Sequence, residues 1–366
     1  MIQFGFGFRK QHGTPEQLHR VVNYALEAIE KKEYAVAVFL DIQQAFDRVW
    51  HPGLLYKAKR LLTPQLFQVI KSFLEGRTFR VADDGCKSSI KSIEAGVPQG
   101  SVLGPTLYSI FSADIPNHMA ITSVDKSDTL IATYADDTAV LTKSSCILLA
   151  KSALQEFLDA FQEWASKWNV CINAGKCANV TFTNRVQNCP VVSLNGRVLD
   201  HSLAHRYLGV ILARSLTFER HVTSLQQQYR AKLNKMSWLL SAKNKLSLEN
   251  KVKIYKCILA ASLFYAIQVY GITAKSHLNK IRVLQAKTLR MISGSPWYIR
   301  TRNIERDLKL PKIGDRIQVI AQKYTERLGA HPNSLARRLN TACNRTRVRR
   351  RLKRHHPQDL LNRILT

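Results

Sequence analysis

At 366 residues with 45% hydrophobic content, the chain exceeds one ordinary domain and is too apolar for a disordered one, which predicts two or three substructures in series. The formal charge of +29 is unevenly placed: residues 1–190 hold 20 Lys and Arg against 18 Asp and Glu, whereas residues 191–366 hold 35 against 8. Clustered cations bind phosphates by displacing condensed counterions, so the second half predicts a polyanion partner; no lipidation motif accompanies the charge, which argues against an anionic membrane surface.

The first residues, Met1 to Phe8, are apolar and glycine-rich but lack a basic leader followed by a sustained hydrophobic stretch, so no signal peptide is expected and the protein should stay inside the cell. From Pro15 to Ile29 the apolar positions Leu18, Val21, Val22, Leu26 and Ile29 recur at helical spacing, with Thr14 as the expected cap. An apolar run, Ala35 to Leu40, reads as a buried strand ending at Asp41. Gly53 to Leu62 and Pro64 to Leu74 predict two helices, the second closed by Gly76. Thr78 to Val81 and Ser88 to Ile93 flank Asp83-Asp84-Gly85, a hairpin signal whose two aspartates serve the turn. Leu103 to Ile115 reads as a helix interrupted near its start by Gly104-Pro105, fed by the loop Gly96 to Ser101.

Further on, Ile147 to Trp168 predicts a helix with the apolar set Leu148, Leu149, Leu154, Phe157, Leu158, Phe161 and Trp164. Strands follow at Val180 to Thr183, Val191 to Leu194 and Arg197 to Leu199, the last two joined by Asn195-Gly196. This order predicts an α+β body. From Phe218 to about Leu328 the pattern is almost wholly helical, with an apolar stripe at Ile254, Cys257, Ile258 and Ala261, and the domain boundary falls near Ala213 to Thr217. The apolar stretch Cys257 to Ile272 is too short for a membrane span and contains Gln268, so it reads as a buried helix. From Arg337 to Arg354 nine basic residues occur without an acid, a basic tail suited to nucleic acid or nuclear import. Seven cysteines form no CxxC pair and no Cys/His ligand spacing, and read as reduced structural thiols.

One constellation carries chemistry. Tyr134-Ala135-Asp136-Asp137 lies between the apolar runs Leu130 to Thr133 and Thr138 to Leu141, which places two carboxylates at a tight turn between strands. Adjacent aspartates in a turn are commonly turn formers only. Asp41 at the end of the earlier strand supplies a third carboxylate, and a pair of divalent metals needs several anionic oxygens of this kind.

Three ordered segments, Phe39 to His51, Ala95 to Pro105 and Tyr134 to Thr138, resemble the motifs of reverse transcriptases, and more narrowly those of jockey-type non-LTR retrotransposon polymerases. Phe6-Gly7-Phe8-Arg9 with His12 and Thr14, Asn173 to Lys176, Tyr207-Leu208-Gly209, Arg290-Met291-Ile292 and Pro296-Trp297-Tyr298 resemble further landmarks, so the likeness runs over roughly residues 4 to 330. It implies a right-hand polymerase: a palm with an antiparallel sheet and a remnant of fingers over 1–213, an all-α thumb-like region over 214–330, and a basic C-terminal segment over 331–366. It implies that Asp41, Asp136 and Asp137, with the backbone carbonyl of Ile42, hold two Mg²⁺ ions, for which Mn²⁺ can substitute.

By the same resemblance Phe46 lies against the nucleotide sugar and excludes a 2′-hydroxyl, and Gln99 contacts the incoming nucleotide and template. Gly96 and Gly100 let the backbone approach the substrate, and Lys176 protonates the leaving pyrophosphate. Tyr207, Leu208 and Gly209 form a primer grip, although Tyr207 to Leu212 also reads as a buried strand; Asp47 reads as structural. The implied partners are an RNA template, a DNA primer or target and deoxynucleoside triphosphates, in the nucleus and cytoplasm. The chain begins almost at the Phe6 to Arg9 segment, so the fingers are expected to be largely missing, as in an N-terminally truncated enzyme. The alternatives are a catalytically inert nucleic-acid-binding remnant and a nuclease or other two-metal phosphotransferase.

Overall fold

Strand β1 (Tyr34–Leu40) is buried along its whole length. An antiparallel strand buried on both faces has no solvent side to mark with polar residues, which explains its unbroken apolar sequence. It is the third strand of a four-stranded antiparallel sheet ordered β6-β7-β1-β8, with β6 (Thr129–Tyr134), β7 (Asp137–Ser144) and β8 (Ala178–Phe182). The computed structural model describes residues 6–116, 129–185, 190–340 and 356–361. The chain divides into two units, Met1–Gln17 with Lys31–Leu203, and Leu18–Glu30 with Ala204–Thr366. Helix α1 (Thr14–Glu30) thus contributes most of its length to the second unit.

In the first unit, α2 (His51–Leu61) and α3 (Pro64–Leu74) each carry a proline in the first turn, where its missing N–H was an orphan in any case. Ladders of β2 (Thr78–Phe79) with β5 (Lys91–Ser92) and of β3 (Ala82–Asp83) with β4 (Cys86–Lys87) form an exposed hairpin. Asp84 and Gly85, both at positive φ, close it. Helix α4 (Gly104–Phe111) is shorter than its sequence suggests. Pro105 stands in its first turn, so Gly104-Pro105 starts the helix instead of interrupting it.

Helix α5 (Ile147–Lys167) covers the sheet with Leu154, Phe157, Leu158, Phe161 and Trp164, all buried with Val36, Val38 and Leu40 in one core. Leu148 and Leu149 are exposed, against expectation. At 3.6 residues per turn Leu148 falls opposite Phe157 and Leu149 well to one side of it. Strands β9 (Val192–Leu194) and β10 (Arg197–Leu199) pair through the Asn195-Gly196 turn. Lys57 ties three helices together from inside: its ammonium donates to the Phe111 carbonyl and to Asp114 Oδ1, each at 2.5 Å, and lies 3.7 Å from the Trp168 ring centre. Trp164 Nε1 donates to the same carboxylate oxygen at 2.9 Å.

The second unit opens with the hairpin β11 (Ala204–Tyr207) and β12 (Val210–Ala213) and continues as helices. These are α6 (Glu219–Leu240), α7 (Leu248–Ile254), α8 (Ala261–Phe264), α9 (Ile267–Tyr270), α10 (Lys275–Ser293), α11 (Thr301–Asp307), α12 (Ile313–Gly329) and α13 (Ser334–Arg337). A π-helical turn, Tyr255–Ala260, joins α7 to α8. Val252, Tyr255, Leu259 and Leu263 are buried, while Cys257, Ile258 and Ala261 of the expected stripe are exposed. Two apolar faces compete on this segment, and periodicity does not choose between them.

The stretch Cys257 to Ile272 is not one helix, because Ala266 at φ 53 breaks it. Among the described residues no helix is long and apolar enough to cross a membrane. Buried hydrogen bonds link the helices: Tyr229 Oη to Thr288 Oγ1 at 2.7 Å, and Tyr255 Oη to Gln285 Oε1 at 2.9 Å. His19, fully buried, bonds Tyr324 Oη through Nδ1 at 3.0 Å and Gln358 Oε1 through Nε2 at 3.1 Å. Of the basic run beginning at Arg337, residues 341–354 lie outside the described residues. The described cysteines 86, 146, 171, 177 and 257 are free thiols.

Candidate active site

The β1–β7 register pairs Leu40 with Thr138, so one further step sets Asp41 opposite Asp137. Between β6 and β7 the pair Tyr134 and Asp137 closes a two-residue turn of Ala135 and Asp136, with Ala135 at φ 56. Both halves of the carboxylate set therefore reach the same end of the sheet, one by strand pairing and the other by a turn. Desolvation raises the Asp137 carboxyl from 3.8 to about 6, and the charges of Asp136 and Asp41 add to it. Three carboxylates that repel one another in this way suit a cation.

Among the described residues no three His, Cys, Asp or Glu side chains are drawn close enough to hold a metal ion unaided. That is compatible with Mg²⁺, which keeps several waters and takes one or two carboxylates plus substrate phosphates instead of an all-protein cage. Carboxylate and carbonyl oxygens are the donor type that a hard divalent ion takes.

Asp41 is held from the other side by the segment leading into β8. Its carbonyl accepts from Asn173 N at 2.9 Å, and its own N–H donates to Cys177 Sγ at 3.4 Å. Ile42, buried, bridges Ile172, and Gln43 N donates to the Cys171 carbonyl at 2.8 Å. Lys176 is exposed in the Asn173 to Lys176 turn, whose backbone is closed by Lys176 N donating to Asn173 O at 2.9 Å. Burial pushes the Cys177 thiol up, so it remains neutral beside Asp41. Nothing in the sequence pattern singled out Cys177 for this support, and Asn173 stood out only as the start of the Asn173 to Lys176 landmark.

Phe46 is half-buried and stacks on Tyr108 of α4, with centroids 4.8 Å apart, while Phe8 meets it edge-on at 5.7 Å. Tyr108 is itself buried, and burial, reinforced by the charges of Asp136 and Asp137, pushes its phenol above the ordinary range. The strip carrying Phe8 is seated against the turn: Phe6 N donates to Thr133 O at 2.9 Å, and a Cβ on Gly7 would lie 2.3 Å from Ala135 N. Tyr108 has no sequence signature of its own, since an aromatic on a helix usually reads as core.

The Pro98-Gln99-Gly100 loop is moored to the segment after Asp41. Val97 N donates to Phe46 O and Gly96 N to Val49 O, both at 2.8 Å, and His51 Nε2 bonds the Gly96 carbonyl at 2.8 Å. Gln99, exposed, donates from Nε2 to Asp47 Oδ1 at 3.1 Å. Gly100, at φ 83, has open space around it. Gly96 is different: a Cβ there would meet Asp47 O at 2.6 Å, so its close approach is to the protein's own backbone.

In the second unit Leu208 and Gly209 take φ 42 and 80, the mirror-image turn that matches strand twist. Tyr207 is buried, and Tyr265 Oη donates to Leu208 O at 2.9 Å. A side chain at Gly209 would come within 2.9 Å of Tyr265 Cε1. The segment is thus a hairpin turn, not one continuous strand through Leu212.

Residues 1–212 match the family described as reverse transcriptase (RNA-dependent DNA polymerase). The whole chain is 72% identical to an RNA-directed DNA polymerase from mobile element jockey of Drosophila funebris, and 70% identical to its Drosophila melanogaster counterpart. It spans 40% of the length of each of these relatives. A probable RNA-directed DNA polymerase from transposon X-element of Drosophila melanogaster is 45% identical, over 98% of this chain and 39% of that protein. Among solved structures, Candida tropicalis telomerase bound to a TWJ fragment of telomeric RNA superposes over 100% of this chain and 53% of that one. That superposition has a TM-score of 0.42 at 13% identity.

Proposed function

The chain belongs to the reverse transcriptase (RNA-dependent DNA polymerase) family, as part of a jockey-type non-LTR retrotransposon protein, and from that premise we propose that it extends a primer 3′-hydroxyl on an RNA template. The observation that carries the reading is the register that brings Asp41 opposite Asp137, beside Asp136, at one end of the central strands. The fold is α+β, with an antiparallel sheet as the palm of a right-hand polymerase.

Reverse transcriptases usually need a divalent metal. Here Asp41, Asp136, Asp137 and the carbonyl of Ile42 would hold Mg²⁺, with Mn²⁺ as a substitute. When bound, such ions lower the pKa of an attacking hydroxyl and neutralise charge on the triphosphate. The primer 3′-hydroxyl gives up its proton to solvent, and its oxygen forms a bond to the α-phosphorus as the bond from that phosphorus to pyrophosphate breaks. Lys176 is the proton donor for that leaving group. Phe46 faces the sugar and rejects a 2′-hydroxyl, and Gln99 and Gly100 border the incoming nucleotide. Tyr207, Leu208 and Gly209 steady the primer strand.

Primer extension on an RNA template, with Asp136→Asn as control, tests this. Loss of one charge-stabilising contact costs about 10²-fold or more, so the wild type should incorporate deoxynucleotide at least that much faster. Equal background incorporation by both proteins would sink the polymerase reading. The charge of residues 191–366, 35 cations against 8 acids, favours a second reading, an inert nucleic-acid-binding remnant. It predicts RNA binding that falls steeply with salt and ignores Asp136→Asn.

A further inference from the structure

Two neighbouring large aromatic side chains of the second unit face solvent just past the C-terminal end of α10. Trp297 is 85% exposed and Tyr298 66%, both on the loop after α10. Trp238, on the last turn of α6, is also 69% exposed, but it stands nine residues from Tyr229, which bonds Thr288 of α10, and so lies on the far face of α6. Ala242, just past α6, donates its N–H to the Met291 carbonyl at 3.0 Å, which fixes the two helix ends together. Two adjacent side chains of this size kept in water cost hydrophobic free energy that burial elsewhere would recover.

The loop that presents Trp297 and Tyr298 is built, not loose. Arg290 reaches across it, donating from Nη2 to Ile299 O at 2.8 Å and from Nη1 to Thr301 Oγ1 at 3.2 Å. Ser293 and Ser295 share a hydroxyl hydrogen bond of 2.7 Å at its start. The two rings meet edge to face, with centroids 6.0 Å apart at 81°. Such a pair stiffens both side chains while leaving the indole uncovered.

Charge identifies the occupant. Residues 231–248 and 287–303 carry eight Lys and Arg and no Asp or Glu. Protein interfaces are depleted of lysine at their cores, whereas exposed aromatics set among cations are what single-stranded nucleic acid uses: phosphates meet the cations and unstacked bases lie on the rings. A duplex keeps its base faces covered and gains only the phosphate part.

The geometry points to a stacking platform for single-stranded nucleic acid, formed by Trp297 and Tyr298 on the loop after α10 in the second unit. It deepens the nucleic-acid reading above but does not depend on the palm chemistry, because Asp136→Asn is expected to bind the strand as the wild type does.

The test uses the full chain and a fluorescein-labelled 15-nucleotide single strand without secondary structure, as RNA and as DNA, with a duplex of equal length and heparin as further probes. The Trp297→Ala, Tyr298→Ala double variant should bind the single strands about tenfold or more weakly. Its slope of log affinity against log salt should stay unchanged, because no cation has been removed. Duplex and heparin binding should match wild type, and Trp297→Phe should keep most of the affinity. Trp238→Ala, which removes a comparably exposed indole from the far face of α6, should bind single strands as the wild type does, so the loss is specific to the loop. Unaltered single-strand affinity in the double variant would overturn the platform, as would equal losses for heparin and oligonucleotide, or an equal loss in Trp238→Ala. Conversion of a wild-type dimer to a monomer in sedimentation, with oligonucleotide affinity intact, would overturn it in favour of a second copy of the chain.

Discussion

The ring of Phe46 lies nearly parallel to that of Tyr108, 20° between planes and 4.8 Å between centroids. If Phe46 is the sugar gate, Tyr108 is what holds it still. Aromatic pairs contribute about 0.5–1.5 kcal/mol beyond their buried area, so Tyr108→Ala should raise ribonucleotide relative to deoxynucleotide incorporation by up to about tenfold. Tyr108→Phe keeps the stack and should keep the ratio. Competition between rUTP and dTTP on one template measures it; a variant that slows both equally and leaves the ratio unchanged would show that the stack is only structural.

Asp47 accepts a hydrogen bond from the Gln99 amide at 3.1 Å, and if Gln99 borders the incoming nucleotide, Asp47 is expected to position its loop. Hydrogen bonds to charged groups are worth about 1.5–3 kcal/mol at most and less when exposed. Asp47→Ala should therefore raise KM for deoxynucleotide by about tenfold with little change in kcat. Asp47→Asn, whose amide oxygen still accepts, should restore it. Steady-state kinetics on the three proteins decides; a fall confined to kcat would contradict the positioning role.

Asp137 titrates near 6 in the folded chain against an ordinary value of 3.8. Folding therefore tightens its hold on the proton, and the stability this contributes is full below about pH 4 and lost as pH rises through 6. Without divalent cation, Asp137→Asn should melt a few degrees above wild type at pH 7.5. The gap should close as the pH falls to 4. Added Mg²⁺ should raise the melting temperature of the wild type more than that of the variant. Thermal denaturation in EDTA and in Mg²⁺ reads all three; a variant that melts below wild type in EDTA at pH 7.5 would remove the proposed repulsion.

Much of the architecture was legible because local rules carry it. Asn195-Gly196 and Asp84-Gly85 take the positive φ values their turns require, which those residue types adopt at little cost. The core stripe of α5 from Leu154 to Trp164 follows helical periodicity into burial. Periodicity misled where two faces are equally apolar, as around Ile258, or where a leucine stands off the buried stripe, as at Leu148. Gly96 was readable as a residue needing special backbone, but not as one pressed on Asp47 O.

By itself the sequence determined the order of elements, the turn types and the three aspartates with their strand ends, because each depends on neighbours a few residues away. The tertiary structure alone decided that the β1–β7 register carries Asp41 toward Asp137, that Tyr108 and Phe8 flank Phe46, and that Asp47 engages Gln99. Those contacts join segments about 40 to 100 residues apart, where strand register and helix docking, summed over many packed side chains, select the partner. No local pattern encodes that selection.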